Sequence, residues 1–82
     1  MSLKQKEEIT IWAFKDGKKG HEKQVEALIA EFTLFKKVNL YEFNALEAHN
    51  SVPDIIIGAG NKTHKHMLKA KKQYPLAKTI VL

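Results

Sequence analysis

Two segments of this chain share one pattern: a continuously apolar run, a loop with two glycines, and the first turn of an amphipathic helix. The first segment covers residues 9–24 and the second covers residues 53–63. An apolar run without polar alternation is typical of a parallel strand that is buried on both faces. In a loop between such a strand and a helix, backbone N–H groups can converge on an anion at the helix N-terminus. We therefore expect these two loops to carry the function.

The alternation of strands and helices extends along the chain and predicts the fold class. Runs of β-branched and aromatic residues predict strands, and apolar residues at helical spacing predict helices. The predicted strands cover residues 9–14, 38–43, 54–58 and 79–82, and the predicted helices cover residues 21–32 and 63–74. Buried strands that alternate with helices indicate an α/β fold, here a Rossmann-like parallel sheet of four strands with two main helices. Right-handed crossovers predict the strand order 2-1-3-4.

Each predicted helix has one apolar face that can cover the sheet. The residues expected to be buried are Val25, Leu28, Ile29 and Phe32 in the first helix, and Thr63, Met67, Ala70 and Tyr74 in the second. The opposite face of the second helix is expected to face solvent with Lys62, Lys65, Lys69 and Lys72. Pro75 ends this helix. Residues 45–48, between the second and third strands, fit a single helical turn.

The predicted strand order places a switch point between the first and third strands. The chain reverses direction across the sheet there, and ligands of open α/β sheets bind at such a point, beyond the carboxyl ends of the strands. Both glycine loops leave the carboxyl ends of these strands, so we expect them to form one site. Asn39 and Glu42 indicate that the second strand is an edge. The apolar fourth strand is an unprotected edge, which predicts a longer protein, a covering partner or self-association through this strand.

The composition limits the kinds of partner. The net charge of +5 comes entirely from lysine, since the chain of 82 residues contains no arginine. Lysine lacks the planar fork with which arginine reads guanine, so we expect no specific binding of nucleic acid. Loose attraction of nucleic acid to Lys65, Lys69 and Lys72 stays an alternative. The absence of cysteine excludes disulfides and thiolate chemistry.

The sequence also limits where the protein is expected to act. It contains no apolar run long enough to span a bilayer, and residues 1–8 lack the apolar segment of a signal peptide. We therefore expect a cytoplasmic protein without a transmembrane segment. Residues 1–8 are expected to be disordered or left over from protein expression, and residues 9–82 are expected to form one Rossmann-like domain.

The glycine loops do not match the known nucleotide-binding fingerprints. A Walker A loop requires G-x-x-x-x-G-K-[ST], and a dinucleotide fingerprint requires G-x-G-x-x-G after a strand. The first loop contains only Gly17 and Gly20, and the second contains only Gly58 and Gly60. We therefore expect no tightly bound NAD and no other cofactor. Each loop taken alone fits a tight strand-to-helix turn without a ligand equally well.

His21 is the candidate catalytic residue, because it stands at the start of the first helix beside the glycine loop. A helix N-terminus favours the neutral imidazole, which can act as a general base or contact an anion. The alternative is a capping or solvent-facing histidine. Asp16 is expected to cap the helix, to orient His21, or to bond its own backbone within the turn.

The remaining candidates would bind a substrate through backbone N–H groups or short polar side chains. Asn61 and Thr63 are expected to cap the second helix, or to donate to a phosphate or a sugar hydroxyl. The predicted substrate-binding residues are Asp16, Gly17, Gly20, Gly58, Gly60, Asn61 and Thr63. His64 and His66 diverge on a helix, and His49 stands alone in a loop, so no metal site is predicted.

These residues in combination carry a family resemblance. The chain reads W-x-x-x-D-G-K-x-G-H-x-x-Q from Trp12, Y-E-F from Tyr41 and P-D-I-I-I-G-A-G-x-x-T-H from Pro53. Over residues 9–82 this pattern resembles the N-terminal part of the family called "mitochondrial fission, elongated mitochondria". Members of that family are similar to GT-B glycosyltransferases, and some are labelled as predicted nucleoside-diphosphate-sugar epimerases.

The chain is also distantly similar to the lipid-intermediate N-acetylglucosaminyltransferases of peptidoglycan synthesis. Their first loop is GGTGGH, and its last two residues match Gly20 and His21. Their later P-D-V-V-L-G-x-G segment matches Pro53, Asp54, Gly58 and Gly60. Two departures are visible: Asp16 and Gly17 stand where those enzymes have a glycine pair, and the connection between the second and third strands is shorter.

The resemblance implies that the chain is half of a GT-B-type N-terminal domain. In such enzymes the N-terminal half mainly holds the acceptor, and the C-terminal half, which is missing here, holds most of the nucleotide sugar. The implied function is metal-independent transfer of a sugar from a nucleotide sugar to an unknown acceptor, with the fragment itself inactive. The alternatives are a nucleoside-diphosphate-sugar epimerase and a non-catalytic interaction module.

Overall fold

Strands and helices alternate in the computed structural model, which describes residues 7–45 and 50–82. The strands are β1 (Glu8–Phe14), β2 (Lys37–Phe43), β3 (Ile55–Gly58) and β4 (Lys78–Val81), and the helices are α1 (Lys19–Thr33) and α2 (Asn61–Gln73). The strands pair in parallel in the order β2-β1-β3-β4. The predicted α/β, Rossmann-like fold and the predicted strand order are therefore confirmed.

The strand registers bring the carboxyl ends of the strands to one edge of the sheet. Phe14, the last residue of β1, is paired with Phe43 of β2 on one side and with Gly58 of β3 on the other. Gly58 is paired in turn with Val81 of β4. Because the strands are parallel, the loops that precede α1 and α2 leave the sheet at this same edge.

α1 covers one face of the sheet through its predicted apolar stripe. Val25 and Ile29 are buried, and Leu28 and Phe32 are partly buried beside them. These side chains share a core with the residues of β1 and β3 that point to this face, namely Ile9, Ile11, Ala13, Ile55 and Ile57. Since the alternate residues of both strands are buried on the other face, the strands need apolar residues at successive positions.

α2 covers the other face of the sheet. Its buried residues are Thr63, Met67 and Ala70, as predicted, whereas Tyr74, expected in the same stripe, is the C-cap residue and only partly buried. Trp12 of β1 lies in this core and makes edge-to-face contacts with Phe43 and Tyr74, with ring centroids 5.3 Å and 5.2 Å away. Its indole Nε1 donates a hydrogen bond of 2.9 Å to the Ser51 hydroxyl, so the polar atom of this buried ring has a partner.

The carboxyl end of β3 requires a glycine because α2 packs directly on it. A Cβ added to Gly58 would lie 2.5 Å from the sulfur of Met67 and 2.7 Å from the hydroxyl oxygen of Thr63. These distances are shorter than van der Waals contact, and both neighbours are buried. Close packing of strand and helix therefore explains this glycine.

The element boundaries differ from the predicted ones by a few residues. β1 begins at Glu8, within the segment that was expected to be disordered, and the carbonyl of Glu7 accepts a hydrogen bond of 2.9 Å from the N–H of Lys37. Both helices begin earlier than predicted, at Lys19 and Asn61. Residues 1–6 and most of the helical turn expected at residues 45–48 lie outside the described residues.

The prediction that the second and fourth strands are the edge strands of the sheet is confirmed, since β2 and β4 are its outer strands. β2 alternates between half-buried and exposed residues over most of its length. β4 is exposed at most positions, including Val81. Neither of the described helices is long and apolar enough to cross a membrane.

Candidate functional site

The two glycine loops meet at the carboxyl edge of the sheet. One joins β1 to α1, and the other joins β3 to α2. A Cβ added to Gly60 would lie 2.5 Å from Nδ1 and 2.8 Å from Cε1 of His21, and it would also overlap the carboxylate of Asp16. The backbone of the second loop therefore lies directly against side chains of the first. This contact confirms the prediction that the loops lie side by side.

Asp16 and His21 form a hydrogen-bonded pair at this junction. The Oδ2 atom of Asp16 and the Nδ1 atom of His21 are 2.6 Å apart. The side chain of Asp16 is only 2% exposed, whereas that of His21 is 36% exposed. A buried carboxylate thus holds an imidazole that solvent can reach, which confirms that Asp16 orients His21.

Asp16 also bonds within its own turn, as the sequence predicts. Its Oδ1 atom accepts a hydrogen bond of 2.9 Å from the backbone N–H of Lys18. The hydrogen bond from His21, and then that from Lys18, lower the pKa of the Asp16 carboxyl because they stabilise its ionised form. One carboxylate oxygen therefore holds the loop, and the other holds the imidazole ring.

The carboxylate also decides which nitrogen of His21 carries the proton. An ionised carboxylate only accepts hydrogen bonds, so Nδ1 carries the hydrogen, and Nε2 of the neutral ring keeps its lone pair. With residues 7–45 and 50–82, the His21 ring makes one hydrogen bond, the bond between its Nδ1 atom and Asp16. An imidazole held in one tautomer by a carboxylate, with its second nitrogen able to accept a proton, is suited to general-base catalysis.

Neither helix has the side-chain cap that the sequence predicts. The N-cap residues are Lys18 for α1 and Gly60 for α2, and neither makes a side-chain cap hydrogen bond. The prediction that Asp16, Asn61 or Thr63 caps a helix is therefore wrong. Gly60 has a φ of 93°, which favours glycine, and the Thr63 hydroxyl donates to the Gly60 carbonyl at 2.8 Å instead of accepting from the backbone.

An open cleft of about 630 Å³ lies at this edge, between the first loop and the start of α2. Its lining residues are Lys15, Asp16, Gly17, Asn44, Asn61, Lys62, Lys65 and His66. Lys15 follows β1, Asn44 follows β2, and Asn61 begins the helix that follows β3. The cleft therefore lies where the carboxyl ends of these adjacent strands meet, which is the expected position of a ligand in this fold.

The α2 side of the cleft is positively charged. Lys62 and Lys65 are exposed there, and the first turn of α2 contains no acidic residue. Lysines near a helix N-terminus are unfavourable in isolation, because they lie close to the positive end of the helix dipole. A bound phosphate would interact favourably with the dipole, with the first backbone N–H groups and with the lysines.

Lys15, on the other side of the cleft, is surrounded by carboxylates. Its Nζ atom forms an ion pair with Glu42 and lies 3.7 Å from Glu22 and 3.8 Å from Glu26. The hydrogen bond with Glu42, opposed by burial and supported by these negative charges, raises the pKa of Lys15. Lys15 therefore links the first loop to α1 and β2, and its charge is already neutralised within the protein.

The structure places the predicted substrate-binding residues in different environments. The cleft is lined by Asp16, Gly17 and Asn61. Gly58 and Thr63 are buried between β3 and α2, where they contact other parts of the protein. Gly60 lies at the junction of the loops, and Gly20 lies in the first turn of α1 with open space around its Cα.

Several lining residues were not recognised as site residues in the sequence. Lys15 and Asn44 each follow the last residue of a strand, and parallel strands end at one edge, so this signal could have identified them. Lys62 and Lys65 were expected to be exposed, and Lys65 was also assigned to the face that could attract nucleic acid loosely. The ring of His66 is stacked on that of Phe14 at 6.2 Å, a contact that depends on how α2 packs against β1.

Asp54, which matches the family motif, lies at the amino end of β3, at the opposite end of the strands from the cleft. It precedes β3, its carboxylate accepts a hydrogen bond of 2.8 Å from the N–H of Thr10, and its own N–H donates to the Thr10 carbonyl at 2.8 Å. This aspartate therefore ties the start of β3 to β1. Nor do the described ranges contain a group of three His, Cys, Asp or Glu residues that could hold a metal ion.

Comparisons of the chain with protein-family models, with curated proteins and with solved structures found no match. The resemblance to the mitochondrial fission family and to GT-B glycosyltransferases therefore stays a prediction. The function has to be inferred from the geometry of the junction and of the cleft.

Replacing Gly60 with alanine should destabilise the protein and separate the loops. Alanine is strained at a φ of 93°, and its Cβ would overlap the Asp16–His21 pair. We expect Gly60→Ala to lower the free energy of unfolding by about 2–4 kcal/mol in chemical denaturation. Gly17→Ala is the matched control, because Gly17 has a φ of 83° but nothing within 4 Å of an added Cβ. Equal losses in the two variants would contradict the contact between the loops.

The stability of the protein should depend on Asp16 at acidic pH. The pKa of this carboxyl is lower in the folded protein than in the unfolded chain, so its ionised form stabilises the fold. This stabilisation is present above the unfolded value of about 4 and is lost as the pH falls through the lowered folded pKa. Asp16→Asn should therefore reduce the loss of stability as the pH falls below about 4, measured by denaturation at a series of pH values. Glu31→Gln, an exposed acid-to-amide change in α1, should keep the wild-type profile; identical profiles for all the proteins would contradict the role of Asp16.

Proposed function

We propose that this chain is part of the acceptor-side, N-terminal domain of a GT-B-type glycosyltransferase that uses a nucleotide sugar. The observation that carries the proposal is the Asp16–His21 pair at the junction of the two loops, where the cleft opens at the carboxyl edge of a Rossmann-like sheet. The resemblance of the sequence to the mitochondrial fission family and its GT-B-like members supports the same function.

His21 is the general base of the proposed reaction. Nε2 takes the proton of an acceptor hydroxyl while the hydroxyl oxygen attacks the anomeric carbon of the sugar. The bond between that carbon and the nucleoside diphosphate breaks, and the diphosphate leaves with the electron pair. Asp16 keeps the ring in the correct tautomer and stabilises the imidazolium that forms.

The lysines and the N-terminus of α2 would hold a phosphate group. Lys62 and Lys65 supply charge to the cleft, and the first turn of α2 supplies backbone N–H groups without an acidic side chain to compete for them. This part of the site requires no metal ion, because lysine and the helix dipole neutralise the phosphate charge. Asn44 and Asn61 add short polar side chains that can bond to sugar hydroxyls.

The two alternatives have different support. An epimerase with bound NAD would need a dinucleotide fingerprint, and the loops contain only two glycines each. A non-catalytic interaction module agrees with the exposed edge of β4 and does not require the Asp16–His21 pair. The buried carboxylate that orients an accessible imidazole therefore favours the transferase.

Titration of the ¹⁵N-labelled chain with a nucleotide sugar tests the proposal by NMR. We expect the amide signals of Gly17, Asn44, Asn61 and Lys62 to shift, with a Kd of about 1 mM because one domain supplies only part of the site. The nucleoside diphosphate, added alone, should shift the same amide signals. A response to inorganic pyrophosphate alone, or no response at the cleft, would contradict a site for a nucleotide sugar.

Paired lysine variants show whether such a response comes from the cleft. Lys62→Gln combined with Lys65→Gln should weaken binding about tenfold, because both charges lie at the cleft. The control is Lys69→Gln combined with Lys72→Gln, which removes the same charge from exposed positions of α2 that do not line the cleft. Equal weakening by both pairs would indicate general attraction to a basic helix and contradict the proposal.

A further inference from the structure

Lys15 attaches the first loop to β2 through both its main chain and its side chain. Its backbone N–H donates a hydrogen bond of 2.9 Å to the carbonyl of Phe43, the last residue of β2. Its Nζ atom forms an ion pair with the carboxylate of Glu42, the residue before Phe43. Asp16 follows Lys15 in the chain, so the point from which Asp16 leaves the sheet is fixed on β2.

The same side chain also reaches α1. Its Nζ atom lies 3.7 Å from a carboxylate oxygen of Glu22 and 3.8 Å from one of Glu26, which stands one helical turn further on. The side chain of Lys15 is only 19% exposed, so water and salt screen these ion pairs less than they screen pairs on the open surface. Lys15 therefore links the outer strand β2 to the first two turns of α1.

Two contacts between the loop and α1 run side by side. Lys15 and Asp16 are consecutive in the loop, and their partners Glu22 and His21 are consecutive in α1. The hydrogen bond between Asp16 and His21 would by itself let the start of α1 rotate about that bond. The adjacent ion pair between Lys15 and Glu22 opposes this rotation, so it helps to keep the imidazole aligned with the carboxylate.

Lys15 lines the cleft, but its charge is used within the protein. One ammonium group stands among three carboxylates, and it has three hydrogens with which to contact them. If Lys15 turned towards a ligand, these carboxylates would be left close to one another and would repel. The hydrogen bond with Glu42 raises the pKa of Lys15 because it stabilises the charged form. The surroundings of Lys15 therefore favour a role in holding the site over a role in binding an anion.

We propose that Lys15 is a positioning residue for His21. Its contacts with Glu42 and Glu22 hold the loop and the start of α1 together, so that the Asp16 carboxylate keeps the imidazole in the tautomer that leaves Nε2 without a proton. The value of this positioning for catalysis rests on the proposed function, in which Nε2 takes a proton from the acceptor. The effect on the tautomer is independent of any ligand and can be measured in the free chain.

The tautomer of His21 in variants of Lys15 tests the inference by NMR of the ¹⁵N-labelled chain. At about pH 8, where histidine side chains are ordinarily neutral, a ring held in one tautomer gives well-separated Nδ1 and Nε2 signals. Lys15→Met keeps most of the length of the side chain but removes its charge, so the ring should exchange between tautomers and the two signals should lose about half of their separation. Lys15→Arg keeps the charge and should preserve the separation.

A folded Lys15→Met protein whose His21 signals stay as far apart as in the wild type would overturn the inference. Circular dichroism checks the fold of each variant. His64, which is exposed on α2, serves as an internal control, because its signals should be the same in all the proteins.

Glu42→Gln gives a second test, which decides if Lys15→Met does not fold. The Glu42 side chain is 45% exposed on an outer strand, so this change leaves the buried core intact. It weakens the ion pair that attaches Lys15 to β2, and the two His21 signals should again move together. Glu31→Gln is the matched control, since it removes the same charge from an exposed position of α1 that is not among the contacts of Lys15. An equal separation of the signals in these two variants would overturn the inference.

The paired lysine variants of α2 separate this inference from the proposed function. Lys62→Gln combined with Lys65→Gln should weaken the response to a nucleotide sugar but leave the His21 signals as in the wild type. If this pair moved the His21 signals as much as Lys15→Met does, a general effect of charge would replace the role of Lys15. A nucleotide sugar that does not bind would overturn the proposed function, while a changed tautomer in Lys15→Met would still support the positioning. Binding of the nucleotide sugar together with an unchanged tautomer in Lys15→Met would overturn the role of Lys15 alone.

Discussion

The contact of Gly60 with the Asp16–His21 pair determines the geometry of the candidate site. It joins two loops that are far apart in the chain but follow neighbouring strands. Asp16 uses one carboxylate oxygen to hold its own loop and the other to hold the imidazole, so a single side chain sets both the loop conformation and the tautomer of the ring. The positive φ of Gly60 lets α2 begin where the loops touch.

This junction exists because β1 and β3 are adjacent parallel strands with helices on opposite faces of the sheet. Burying one large apolar side chain contributes about 1.5–3 kcal/mol, and both strands bury side chains on both faces. That burial fixes the central strands and brings the N-termini of α1 and α2 to one edge. The proposed catalytic cleft therefore follows from this arrangement of strands.

Much of the fold could be predicted from the sequence because its signals are local. The unbroken apolar runs at residues 9–14 and 54–58 indicate central strands, and handedness then gives the strand order. The strand order also predicts that the two glycine loops meet. It does not predict which side chains contact each other within the cleft. The position of His66 depends on how α2 packs against β1, and the carboxylates around Lys15 come from α1 and β2. The capping of α2 was predicted wrongly because the N-cap residue is Gly60, whose positive φ starts the helix without a side-chain cap. Residue type alone does not reveal this backbone conformation.

The candidate site depends on the contact between the two loops, and a nuclear Overhauser experiment on the labelled chain measures this contact without a ligand. A Cβ on Gly60 would lie 2.8 Å from Cε1 of His21, so the α-proton of Gly60 that occupies this direction lies next to the imidazole. We predict a strong cross-peak between that proton and the Hε1 proton of His21, and we expect Asp16→Asn to weaken it. A folded chain in which these two protons give no cross-peak would contradict the contact and the site built on it.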